Sequence, residues 1–168
     1  MNRGYHEIKE HGKREFPFNI YPCSIPVDFS HVALHWHEEM EIIAVKKGKG
    51  RITVDTVSYP VEEGDILAVF PGQLHAISCG NGERMEYENI IFRLSMLMGD
   101  NGDGCTVHFL KPLQEGQAKN PVLIQRNQPD HEVFGKVIQE LDRFSEIRGN
   151  GYQLAVKGQL FLFLYYAY

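Results

Sequence analysis

Three side chains able to bind one metal ion, His35, His37 and Glu41, fall inside the segment HWHEEMEIIAVKKGKG. A fourth, His75, follows in GDILAVFPGQLH. The first three share odd parity, as do Ile43 and Val45. Along a strand, residues of one parity point to one face. A single strand through this segment would therefore aim two imidazoles and a carboxylate into one cavity. His75 would have to come from a neighbouring strand. Three nitrogens and one oxygen converging in this way make a first shell for a divalent transition metal, with Zn, Ni, Mn and Fe all admissible. Imidazole binds metal in its neutral form, so occupancy should fall below pH ~6. A lone His-x-His is a weak pattern. Glu41 at the matching parity, followed by His75, is what gives this one weight.

The elements that must position these groups are marked by turn signals. From about Pro17 to Leu113, short β-like runs are broken by Gly, Pro, Asn and Asp. The pattern predicts strands over 32–37, 41–46, 50–56, 66–70, 75–78, 87–94 and 106–110. Lys47-Gly48-Lys49-Gly50, Glu62-Glu63-Gly64-Asp65, Pro71-Gly72 and Gly80-Asn81-Gly82 read as the intervening turns. Short strands at this spacing indicate an all-β barrel or sandwich. Trp36, of even parity, should face away from the donors and pack against a neighbouring element. Asn89 or Arg93 could reach the cavity, although a solvated Arg93 is the better reading. The run MGDNGDGC reads as an exposed loop, and its spacing does not fit an EF-hand calcium loop.

From about Pro129 the period changes. Phe134, Val137, Ile138, Leu141 and Phe144 recur at three and four, the stripe of an amphipathic helix. Arg148-Gly149-Asn150-Gly151 reads as a break, and a second helix should run from about Tyr152. Its last turns, LFLFLYYAY, are apolar nearly all round and need a cover. Leu160, Phe161, Phe163, Leu164 and Tyr165 exceed what one helix face can bury internally, which favours a homodimer contact over the alternative, contact with a following domain. No cap or charge closes this helix, so the natural polypeptide is expected to continue beyond Tyr168.

Composition narrows the class. The chain has 168 residues, 43% of them hydrophobic and 23% charged, as in an ordinary globular domain. Its net charge of -5 argues against the chain by itself gripping DNA. The basic turn of Lys46, Lys47, Lys49 and Arg51 reads as a solvated hairpin. No apolar run reaches the ~18 residues of a membrane span, and the polar start lacks the apolar stretch of a secretory signal. Cys23, Cys79 and Cys105 show no CxxC spacing, so they read as buried, reduced thiols in a cytoplasmic protein.

The stretch from His35 to His75 resembles the two motifs of the cupin superfamily. His35, His37, Glu41 and Gly48 match the first; Gly64, Gly72 and His75 keep the spacing of the second. Phe29, Pro71 and Cys79 depart from the enzyme-type pattern. The finer texture, including FPFNIY at 16–21 and the helical tail, is similar to the N-terminal sensor domain of AraC-type bacterial transcription regulators. That resemblance implies a cupin jelly-roll barrel over 1–115 that binds a small-molecule effector, with sugars the first guess. It implies a helical dimerisation segment over 116–168. It also implies a helix-turn-helix domain beyond Tyr168, through which alone DNA would be bound. His35, His37, Glu41 and His75 would serve as effector or metal ligands, with no catalytic residue. The competing readings are a metal-dependent cupin enzyme, of dioxygenase or sugar isomerase type, and a metal-free carbohydrate-binding module.

Overall fold

A computed structural model describes residues 3–118 and 120–168. Its organising element is β3 (Met40–Val54), a strand long enough to serve both walls of a barrel. Its first half pairs with β7 (Met85–Phe92) on one side and β5 (Ile66–Val69) on the other. Its second half pairs with β4 (Val57–Glu62) and β6 (His75–Ser78). β1 (Phe18–Ile25) lies against β7, β2 (Val32–His35) against β6, and β8 (Val122–Ile124) against β5. Every pairing between these strands is antiparallel. The result is the mainly-β barrel followed by two C-terminal helices that the sequence predicts.

The first half of β3 is apolar on both faces because both faces are covered. Ile43 and Val45 point inward and pack with Leu67, Val69, Ile77 and Tyr87. Met40, Ile42 and Ala44 point outward and pack with Ala68, Ile90 and Phe92 beneath the helices. Beyond the register shift between Val45 and Lys47 the inward parity changes, and Ile52 and Val54 now face the interior. An extra residue in a strand does this, because side chains alternate strictly. Gly48 sits at the bend with φ 78°. A Cβ there would lie 2.1 Å from the Arg84 carbonyl oxygen, so only glycine fits. The run Lys47-Gly48-Lys49-Gly50 is therefore a bulge that carries one strand between walls, where the sequence suggested a turn ending a strand.

Other expectations are corrected. Residues 106–110 form a π-helical turn running into α1 (Lys111–Gln114), where the sequence suggested a short strand. Thr106, Leu110 and Leu113 are the buried positions, a helical spacing. Asp103 starts this turn by accepting hydrogen bonds from the Thr106 N–H and hydroxyl, at 2.8 and 2.6 Å. One barrel strand, β8, comes from beyond residue 115, the expected end of the barrel. Cys23 and Cys79 are half-buried and Cys105 is exposed, so the last is not the small core residue expected; all three are free.

The helical pair is α2 (His131–Ile147) and α3 (Tyr152–Ala167). Phe134, Val137, Ile138 and Leu141 of α2 interlock with Val156, Leu160, Phe163 and Leu164 of α3 over the outer barrel wall. Each such side chain contributes ~1.5–3 kcal/mol on burial. Arg148 and Gly151, both at positive φ, turn the chain between them. His131 Nε2 reaches the Gly64 carbonyl at 2.6 Å and ties the start of α2 to the barrel. No helix among the described residues is long and apolar enough to cross a membrane.

Candidate metal centre

His35 closes β2, and His37 lies two residues on, in the connection to β3. Glu41 is the second residue of β3, and His75 opens β6. The three donors of the first segment therefore do not share one strand. The chain turns at Glu38 and Glu39, and this turn folds His37 back over Glu41. His35 and His75 are direct cross-strand partners, with ring centroids 4.2 Å apart. One ligand atom from each of His35, His37, Glu41 and His75 lies within 4.8 Å of all the others. His37, Glu41 and His75 are buried, and His35 is half-buried.

Each ring is held by its other nitrogen. Nδ1 of His35 lies 2.8 Å from the Ala33 carbonyl, that of His75 2.9 Å from the Gln73 carbonyl, and that of His37 3.1 Å from the Glu39 carbonyl. A carbonyl only accepts, so it fixes the proton on Nδ1 and leaves Nε2 with its lone pair. That is how proteins orient metal-binding histidines. The Nε2 atoms of His37 and His75 then face one oxygen, Glu41 Oε2, at 3.0 and 3.1 Å. Acceptors at both ring nitrogens are satisfied by an extra proton, or by a cation standing between Nε2 and the carboxylate. The donor set thus fits a divalent transition ion, with all four residues as its holders.

The electrostatics agree with this geometry. Burial alone would raise the Glu41 carboxyl, but the His75 charge and the hydrogen bonds from His37 and His75 hold it well below the usual carboxylate range. Burial would lower His75, and Glu41 overcomes it, so His75 is raised. His35 is lowered, first by burial and then by the charge on His75. The carboxylate supports a neighbouring imidazolium, and that imidazolium in turn disfavours charge on the next ring.

Comparison with known proteins follows the site. The model of the AraC-like ligand-binding domain family matches residues 26–164. The chain belongs to that family. It is 27% identical over 88 residues to an uncharacterized helix-turn-helix-type transcriptional regulator of Bacillus subtilis, a match covering 52% of this chain and 30% of that one. The chain thus spans under a third of that regulator's length. Among solved structures it is similar to a cupin 2 conserved barrel domain protein of Salinispora arenicola, with 23% identity and TM-score 0.42, over 48% of this chain and 66% of that one. It is also similar to a variant oxalate decarboxylase of B. subtilis, with 24% identity and TM-score 0.35, over 38% of this chain and 18% of that one.

For an AraC-like ligand-binding domain, the barrel wall beside the donors matters as well. Tyr21 and Cys23 of β1 stand opposite Asn89 and Tyr87 of β7. Asn89 Oδ1 is buried without a hydrogen-bond partner, and burial pushes the Cys23 thiol up to about 11. A buried acceptor left open marks a place for water or a ligand hydroxyl. Asn89 of β7 is one of two residues that the alternation pointed to. The other, Arg93, lies half-exposed on the rim, with Nε 2.8 Å from Glu39 Oε1. Trp36 points away from the donors and stacks on His6 at 4.2 Å. The alternation gave no sign of Glu7 and His11, because they approach the donors from a polar N-terminal arm with no periodic pattern.

Proposed function

We propose that this chain is the effector-sensing and dimerisation part of an AraC-type transcription regulator. In this reading it is a sensor, not an enzyme. A small polar molecule, with carbohydrates the first class to test, binds in the barrel beside a divalent ion held by His35, His37, Glu41 and His75. The ion, drawn from Zn, Ni, Mn or Fe, would offer a Lewis-acidic centre to an effector oxygen. The observation that carries this reading is the convergence of four donor atoms with every imidazole anchored through Nδ1. Tyr21 and Asn89 provide polar contacts on the adjoining wall. The setting is the cytoplasm, where three unpaired cysteines stay reduced.

The second activity rests on α3. Leu154, Phe161, Leu162 and Tyr165 stay exposed on it while Val156, Leu160 and Phe163 are buried. The exposed side borders an apolar cavity of about 220 Å³ lined by Phe109, Phe161, Tyr165 and Tyr168. A second copy of the chain would cover this surface. Effector binding would then bias the dimer, and through it a DNA-binding domain beyond Tyr168, by differential affinity for two arrangements.

The test is elemental analysis of protein purified without chelator, with a thermal-shift screen of sugars, organic acids and metals. A ligand at a hundredfold excess over Kd adds about 2.7 kcal/mol of stability. Metal content that is unchanged in the double variant His35→Ala, His75→Ala would refute the site. Turnover of a bound sugar or acid by the metal-loaded protein would move the chain to the cupin-enzyme reading.

A further inference from the structure

The N-terminal arm is fastened to the residue between two of the donors. Trp36 donates its N–H to the Tyr5 carbonyl and accepts from the Glu7 N–H, both at 2.9 Å. The stacked pair of His6 and Trp36 covers this short parallel pairing. These contacts set the Glu7 side chain beside His35 and His11. Glu7 Oε2 lies 3.7 Å from Nε2 of His35, the nitrogen that faces the other donors. It lies equally far, 3.7 Å, from Nε2 of His11. Two ligands at ~2.1 Å from one ion are ~3.0–3.4 Å apart. The Glu7–His35 spacing is thus close to that of groups sharing an ion. It also falls on the least buried of the four donors, the side from which a further group can enter.

A second observation points the same way. His11 is 4% exposed, yet its Nε2 makes no hydrogen bond among the described residues. Its Nδ1 is 3.2 Å from the Tyr21 hydroxyl, and its ring is 6.0 Å from that of His37. The arm thus brings a carboxylate and a buried, incompletely partnered imidazole to the rim of the donor set.

We propose that Glu7 is a fifth donor to the centre formed by His35, His37, Glu41 and His75, and that ion binding thereby fastens the N-terminal arm to the barrel. His11, with its Nε2 3.7 Å from the same Glu7 oxygen, flanks the carboxylate from the other side. This rests on the metal reading above, and its test separates the two.

Metal-free protein is titrated with ZnCl2 and with NiCl2 by calorimetry, as wild type, Glu7→Gln and His75→Ala. In parallel, trypsin cleavage after Lys9, Lys13 and Arg14, all exposed on the arm, is timed with and without saturating metal. The wild type should bind, and its arm should be cleaved more slowly once loaded. Glu7→Gln should bind about tenfold more weakly, at the low end of the range for losing a group that supports a metal site, because the other four donors remain. Its arm should be cleaved at one rate with or without saturating metal. Glu7→Asp should recover part of both effects. If Glu7→Gln matches the wild type in affinity and in protection while His75→Ala loses binding, the metal reading stands and the role of Glu7 is overturned. If the wild type binds neither ion, both fall together.

Discussion

Glu41 and Glu88 are buried carboxylates on adjacent strands, 2% and 8% exposed, and their surroundings drive them in opposite directions. Glu41 faces the barrel interior, where His37 and His75 both point at one of its oxygens, and it stays ionised. Glu88 faces outward, into a cavity of about 560 Å³ between the barrel and the helices that is also lined by Lys46, Asp142 and Tyr152. Lys46 pairs with Glu88 and lies 3.1 Å from Asp142. Burial pushes Glu88 up to about 7, Lys46 pulls it down, and Asp142 adds to the push. One cation shared by two carboxylates leaves one of them short of charge. Several anchored imidazoles around one carboxylate do the reverse. Burial therefore does not mark a ligand site; convergence of donors oriented by the backbone does.

The same substitution at the two positions is the sharpest way to break this comparison. Glu41→Gln should lower metal affinity by more than about 100-fold, above the range for partners outside the ligand set, and Glu88→Gln should leave it unchanged. Calorimetric titration of both variants checks this. Equal losses would mean that global stability, and not the donor set, governs binding. Without metal, Glu41→Gln should cost about 1–3 kcal/mol in urea unfolding, since His37 and His75 lose a charged acceptor in a buried place. Glu88→Gln should be neutral or slightly stabilising at pH 8, because it removes a charge that is poorly compensated there.

The pH dependence sharpens it further. Between the ordinary carboxylate value of 4.5 and about 7, folded Glu88 keeps a proton that the unfolded chain has released. Its contribution is full below 4.5 and is lost as pH rises through about 7. Glu41 is depressed, so its contribution is full above the ordinary 4.5 and is lost as pH falls below it. Metal-free wild type should therefore lose on the order of 1–2 kcal/mol between pH 5 and 8 from Glu88, after discounting for solvent. Unfolding curves of Glu88→Gln should lack that slope and keep the acid-side loss. In Glu41→Gln the acid-side loss should shrink instead.

Glu41 was legible in the sequence and Glu88 was not, for a physical reason. The strands at 66–69 and 75–78 and the helix at 131–147 stand where turn signals and periodicity put them. These signals are local, and so is the spacing of His35, His37 and Glu41, while His75 stands at the start of its own turn-marked strand. What the periods could not show depends on tertiary pairing. β4 carries Pro60, a residue that argues against a strand yet is tolerated here. β8 is three residues long and exists only as the partner of β5. The stretch 106–110 is a short apolar run, the kind whose type the sequence leaves ambiguous. Glu88 owes its environment to Asp142, fifty-four positions along the chain and brought near only when α2 docks.

The smallest effect isolates that docking. Asp142 lies at the cavity edge, bonds Lys46 and adds to the upward push on Glu88. In Asp142→Asn the like charge disappears and Lys46 is left to Glu88 alone. Both changes favour the ionised Glu88, so its titration midpoint should move down, as read by NMR of the side-chain carboxyl. Stability at pH 7 should change by no more than ~1 kcal/mol, because half-exposed ion pairs contribute little. Metal affinity should not move, since the centre lies on the opposite face of β3. A midpoint that stays in place would mean that burial and Lys46, without Asp142, set the acidity of Glu88. The contrast with Glu41 would then reduce to the presence or absence of imidazoles.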